Sequence, residues 1–323
     1  MLRRSLGSAR GIFAPGIAAG LALCLLTACG AEVPAGGVKT ANDPGALPDH
    51  SLKVSRRVEP EELLPRDLDF CVRVDLARMK ESLGPASRDL LRDLADDPLF
   101  AKAIEKARAV LIAIRVSDLD AGDRVIAVEG DLAGLEPDVD RYREDDTSND
   151  RVHLYERKGD VKRGDTAAII ALDQRALVFV SAIEVDSVRR VLAKGADKDR
   201  PDPPGEGVMS VHYRPRRLAP SLEKKFPSVS KVIRELGEVR GTVNVPEEGV
   251  VVDFSIQAKS ADGARRASKF IDIVRTNAED SSASSLLRGI DSDLTGSSLH
   301  VRWVIPPEVV LNAIKRQRKE GSE

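Results

Sequence analysis

Cysteine is scarce in this chain: its 323 residues include Cys24, Cys29 and Cys71 and no others. Aromatic residues make up 3%, with Trp303 the only tryptophan. Each shortage excludes something. Three thiols cannot build the disulfide framework that stabilises small exported domains, so the fold must stand on its apolar core. So few aromatic rings argue against a sugar-binding face, which presents aromatic platforms. The histidines are His50, His153, His212 and His300, and none has a partner at metal-ligand spacing. Also missing are His-Glu-x-x-His, Gly-x-Ser-x-Gly, a phosphate-binding loop and the dinucleotide fingerprint. No motif therefore calls for a metal or a cofactor.

The strongest signal lies at the N-terminus. Arg3, Arg4 and Arg10 precede an uncharged stretch from Ile12 to Leu26, the pattern of a secretory signal. A spanning helix needs about 20 apolar residues, and Gly11, Pro15, Gly16 and Gly20 weaken this stretch further. It runs into Leu26-Thr27-Ala28-Cys29, which resembles the lipobox of bacterial lipoproteins: Leu, two small residues, then Cys. The resemblance covers only residues 1–30. It implies that Leu26, Thr27 and Ala28 are recognised during processing and that cleavage follows Ala28. It further implies a diacylglyceryl group on the Cys29 sulfur and acylation of the new amine. One acyl chain binds a membrane marginally, at about 0.8 kcal/mol per buried methylene, whereas two or more anchor stably. Gly30 stands where enterobacterial lipoproteins carry Asp for inner-membrane retention. By that analogy the anchor is the outer membrane, with the body facing the periplasm.

Loss of residues 1–28 removes Arg3, Arg4 and Arg10 and no acid, taking the formal charge from −2 to −5. An acidic body argues against nucleic-acid binding and against wide adhesion to anionic lipid. Hydrophobic residues make up 42%, enough for a buried core. Residues 29–64, rich in Gly, Ala, Pro and charge, carry no period and read as the lipidated Cys plus a flexible tether.

The body then divides into a first half at 65–195, a linker at 196–207 and a second half at 208–323. Leu68, Phe70, Val72, Val74 and Leu76 alternate with more polar residues, which predicts a half-buried strand with Cys71 on its other face. A helical region follows, broken at Gly84-Pro85 and at Asp97-Pro98, where Asp caps and Pro takes the first helical position. Strands are expected at 109–117, 124–132, 151–157, 166–172 and 176–181, a solvated loop at 143–150, and a helix at 184–194. After the linker the pattern restarts: a strand at 208–214, a stripe from Leu218 to Leu236 interrupted by Pro227, and strands at 238–245 and 249–258. A helix at 261–278, a strand ending at Ile305 and a helix opened by Pro306-Pro307 complete it. The fold class is α+β, antiparallel sheets with helices packed on one face, in two similar halves that suggest a duplicated unit.

Four constellations invite a chemical reading. Asp118, Asp120 and Glu129 occupy three places of a calcium-loop count, but Gly122 falls one place early and strands flank it, so a polar hairpin turn explains them better. Ser221-Leu222-Glu223-Lys224 and Ser228-Val229-Ser230-Lys231 match Ser-x-x-Lys, yet both companion motifs of penicillin-recognising enzymes are missing, and a solvated helix face is expected. Cys71 with a distant His could form a nucleophilic pair, though a lone thiol in a strand is more often a packing residue. The basic run Lys315-Arg316-Gln317-Arg318-Lys319 reads as the charged end of the last helix.

The leading reading is a lipid-anchored, non-enzymatic envelope protein with a binding or structural role, whose partners are the membrane through Cys29 and another envelope protein. The alternatives are a carrier or sensor of an apolar ligand such as a lipid, and a hydrolase with a dispersed site. The carrier requires an apolar cavity, the hydrolase a cleft gathering His153 with Asp and Ser or Cys side chains.

Overall fold

The computed structural model describes residues 57–83, 91, 94–146, 148–203, 205–216, 218–246, 249–277 and 289–306. The predicted signal and lipobox, the helix after Pro306 and the basic run at 315–319 lie outside them.

Phe70–Asp75 forms β1, whose Phe70, Val72 and Val74 point to one core while Cys71 points to another. It leads straight into α1 (Leu76–Leu83). Asp97 caps α2 (Pro98–Lys106) as the sequence predicts, accepting from the Leu99 N–H at 2.9 Å with Pro98 in the first turn. Next come β2 (Ala107–Ile114), β3 (Arg124–Gly130), β4 (Tyr142–Glu144), β5 (Val152–Arg157), β6 (Thr166–Leu172) and β7 (Ala176–Ser181). Asp173 and Gln174 both take positive φ in the three-residue loop between β6 and β7, closed by Arg175 N–H on the Leu172 carbonyl at 2.9 Å. A 3-10 turn at Ala182–Glu184 runs into α3 (Val185–Lys194).

The second half contains β8 (Met209–Tyr213), α4 (Pro220–Lys225), α5 (Pro227–Ile233), β9 (Leu236–Asn244), β10 (Val250–Ala258), α6 (Ala261–Asn277), β11 (Ile290–Thr295) and β12 (Ser298–Ile305). The twelve strands make one antiparallel sheet in the order β11-β12-β10-β9-β8-β1-β2-β3-β7-β6-β5-β4. The fold is therefore α+β with an antiparallel sheet, as the sequence implies. The seam between the halves is a further strand pairing, β1 on β8, with Phe70 opposite Tyr213 and Cys71 opposite His212. Outward from it both halves follow one order: first strand, second, third, then last, then last but one. Where the first half inserts β4 and β5, the second carries α6.

The sheet has two unlike faces. On the helical face α1 and α2 pack on the first half through Leu76, Met79, Leu99, Phe100 and Ile104, and this core continues across the seam to Val211, Leu218 and Ala219. Farther along, α6 sets Ala267 and Ile271 against Leu299 and Val301 of β12. The opposite face is covered too over the first half, by α3 and by residues 58–68. The sequence of the central strands explains this second cover. β2 is Ala-Arg-Ala-Val-Leu-Ile-Ala-Ile and β7 is Ala-Leu-Val-Phe-Val-Ser, near-continuous apolar runs that need burial on both sides.

One boundary differs from the sequence reading. The tether is expected from composition to run to Leu64, but Val58, Leu63 and Leu64 are buried and Pro60–Leu63 forms a 3-10 turn on the body. The apolar residues here are spaced irregularly between acids, so no period reveals them.

Candidate functional site

The sequence candidates do not converge. His153, His212 and His300 lie on β5, β8 and β12, so roughly 30 Å of sheet separates the first two and roughly 14 Å the last two at about 4.8 Å per strand. His153 Nδ1 is 2.7 Å from Glu144 Oε1, and its ring stacks on Tyr155. His50 lies outside the described residues.

Cys71 does meet a histidine, His212, directly across the seam. His212 is fully buried and both ring nitrogens are engaged: the Asp202 N–H donates to Nδ1 at 2.7 Å, and Nε2 lies 2.7 Å from Glu238 Oε1. With Nδ1 accepting, the proton sits on Nε2 and points at Glu238. Burial holds the His212 pKa below its usual value despite that bond, and burial pushes the Cys71 thiol well up. A thiol held protonated beside an imidazole with no nitrogen to spare is a packing residue, not a nucleophile.

The calcium-loop residues part company as well. Asp118 lies against Arg115 and Arg163, whereas Glu129 on β3 is 3.1 Å from the Arg73 guanidinium. Among the described residues no group of His, Cys, Asp and Glu could hold a metal ion. The two Ser-x-x-Lys stretches occupy the short helices α4 and α5, and Ser230 Oγ donates to the Phe226 carbonyl within its own turn at 2.9 Å.

Sequence reasoning misses a charged cluster at one end of the first half. Glu184, completely buried at the entry to α3, lies 2.8 Å from Arg115 Nη2. Asp67 and Asp118 reach the same guanidinium, and Arg163 joins Asp118 to the buried Asp123 at 3.7 and 2.7 Å. Burial raises the Glu184 pKa to about 7, and Asp67, Asp123 and Asp118 add to the rise against Arg115. Nearby Asp69, which accepts from the Val116 N–H at 2.8 Å, is pushed by burial to about 6. Those values suit proton transfer, but Glu184 has no exposed edge to offer a substrate. Its members are scattered over more than a hundred positions, so no local pattern marks them.

A groove of about 420 Å³ at the β4–β5 edge is lined by Arg143, Glu156, Arg157, Lys158 and Gly159. Such charged walls do not make the apolar chamber that a lipid carrier requires. A second open feature is the outer face of β9, β10, β12 and β11, on the side opposite α6. Ser255, Gln257, Asp291, Asp293, His300 and Arg302 are exposed there, with Asp253 part-buried 3.8 Å from His300. This is the same sheet face that residues 58–68 and α3 cover in the first half. Alternating polar and apolar residues in β12 leave its outer side solvated (Ser298, His300, Arg302) and its inner side buried (Leu299, Val301, Trp303, Ile305).

No described helix is long and apolar enough to cross a membrane. The predicted processing residues Leu26, Thr27, Ala28 and Cys29 lie outside the described residues.

No known protein family and no curated protein matches the sequence. Among solved structures the chain is similar to TP0453 in its crystal forms I, III and IV, with 13%, 13% and 11% identity and TM-scores of 0.47, 0.48 and 0.43. The alignments cover 80% of this chain and 96%, 98% and 96% of that one. Likeness at TM-scores under 0.5 carries no inference about function.

Proposed function

We propose that this chain is a lipid-anchored protein of the cell envelope whose body is a non-enzymatic binding module. The observation that carries the reading is Leu26-Thr27-Ala28-Cys29 at the end of a short uncharged stretch with arginines before it. The anchor is placed at the outer membrane, with the body facing the periplasm, because Gly30 follows the Cys.

The chemistry of the body supports a binding role over a catalytic one. Its buried Glu184 is matched by Arg115, and the part-buried Glu238 by Arg214 and Arg240 with His212 as a hydrogen-bond partner. Among the described residues, the outer face of β9–β12 is an open polar surface of mixed charge, which suits a protein partner better than a small substrate. Site-specific photo-cross-linking in intact cells tests this. A photoreactive residue at Ser255 or His300 is expected to capture an envelope protein that the same probe at Lys269 on α6 does not. Equal capture from both sites, or from neither, would remove the assignment of this face.

A further inference from the structure

The segment that joins the tether to the body, residues 57–68, is gripped in an unusual way. It adds no strand to the sheet. Its turns close on themselves, Glu62 N–H on the Glu59 carbonyl, Leu64 on Glu61 and Leu68 on Pro65. The body holds it by side chains. Val58, Leu63, Leu64 and Leu68 plug the apolar floor made by Leu111, Ala127 and their neighbours. Around these plugs, arginines from three strands or their ends take its acids: Arg175 to Glu59 at 2.8 Å, Arg73 to Glu61 at 3.1 Å, and Arg115 to Asp67. Backbone pairing with the sheet begins one residue later, where the Asp69 N–H meets the Ile114 carbonyl at 3.1 Å. Side-chain hydrogen bonds add to the grip, from Arg175 to the Val58 carbonyl, Arg216 to the Arg66 carbonyl and the Arg66 N–H to Asp197. A segment held in these ways can leave without breaking a ladder, the requirement for local opening below the free energy of global unfolding.

We infer that residues 57–68 are a releasable strap: the segment peels from the sheet as a unit, lengthening the tether and uncovering an apolar trench on β1, β2, β3 and β7 beside α3. Twelve extended residues add up to roughly 40 Å of reach. Extension of the body away from its anchor point is thereby coupled to exposure of a surface that is hidden at rest. The inference concerns the strap alone and stands whether or not Cys29 carries lipid.

Cys71 reports on it. Its thiol is fully buried in the same apolar cluster as Val58, Leu63 and Leu64, and Glu61 of the strap is among the charges acting on it. In a full chain carrying Cys24→Ala and Cys29→Ala it is the only thiol. Its rate of labelling by a thiol reagent is measured against denaturant and salt, with Trp303 fluorescence following the second half. A releasable strap gives labelling that varies only weakly with low denaturant and speeds up with salt, which screens the part-exposed arginine pairs. Leu64→Ala should accelerate labelling at low denaturant at least about thirtyfold. Gly241→Ala in the second half, which crowds the Phe254 ring and lowers the Trp303 midpoint, should leave that labelling unchanged. Labelling that follows global unfolding, or that Gly241→Ala accelerates in step with its lower Trp303 midpoint, would overturn the inference. So would labelling indifferent to Leu64→Ala.

Discussion

Glu184 shows how a single buried carboxylate sets a pH dependence. Its folded pKa of about 7 lies above the ordinary 4.5, so between those values the folded chain holds a proton that the unfolded chain has released. Stability from this group is therefore highest below about pH 4.5 and falls as pH rises toward 7. Glu184→Gln should remove that slope and stabilise the protein by about 3 kcal/mol at pH 8, since a tenfold change in proton affinity corresponds to about 1.4 kcal/mol. Arg115 keeps Asp67 and Asp118 in the variant. Chemical denaturation of both chains at pH 5 and pH 8 checks this, and a variant less stable at pH 8 would mean that the Arg115 pair outweighs the cost of burial. Asp97 has the opposite character. It caps α2 through the Leu99 N–H, accepts the Tyr142 hydroxyl at 2.7 Å and lies 3.3 Å from the Arg141 guanidinium. Asp97→Ala leaves all three groups without that partner and should cost about 3 kcal/mol by the same measurement.

At the scale of elements, a close contact pins the second half. A Cβ on Gly241 would stand 2.3 Å from the Phe254 ring, which covers the glycine from the neighbouring strand. Gly241→Ala must displace that ring from the half-buried layer beneath α6, and a loss of about 1–3 kcal/mol is expected from thermal melting. The elements most legible in the sequence are those with strict patterns. Alternation from Leu68 to Leu76 predicts β1, Asp97-Pro98 predicts the start of α2, and Ala264, Ala267, Ile271 and Val274 predict the inner side of α6. Those that escape lack a pattern. Ile-Asp-Ser-Asp-Leu-Thr of β11 is an edge strand whose outward acids hide its apolar alternation, and such charges discourage edge-to-edge pairing. The three residues of β4 fall partly in the stretch whose composition suggests a solvated loop. The strap escapes because ion pairs with distant arginines, not a repeat, hold it in place. For the same reason the Glu184 cluster is invisible in the sequence: proximity across four separate stretches of chain is a property of the folded sheet alone.

For the whole molecule, the seam between β1 and β8 matters most. It turns two halves into one sheet, and the helical-face core runs through it from Phe70 and Val72 to Val211 and Leu218. The halves should consequently unfold together, with Trp303 fluorescence and far-ultraviolet circular dichroism giving coincident denaturant midpoints. Two resolved transitions would show that the seam couples them only weakly. Duplication is the origin we propose for the shared strand order, with α6 in the second half standing where β4 and β5 stand in the first. In this arrangement one sheet face is hidden by the strap and α3 over the first half and left polar and open over the second. That asymmetry suits a tethered binding module. The account depends first on the tether being anchored, and intact mass spectrometry of the membrane-extracted protein tests that directly. The native chain should show the mass of residues 29–323 plus lipid, and Cys29→Ala should abolish both the cleavage and the lipid. An uncleaved, unlipidated native mass would contradict the account at its base.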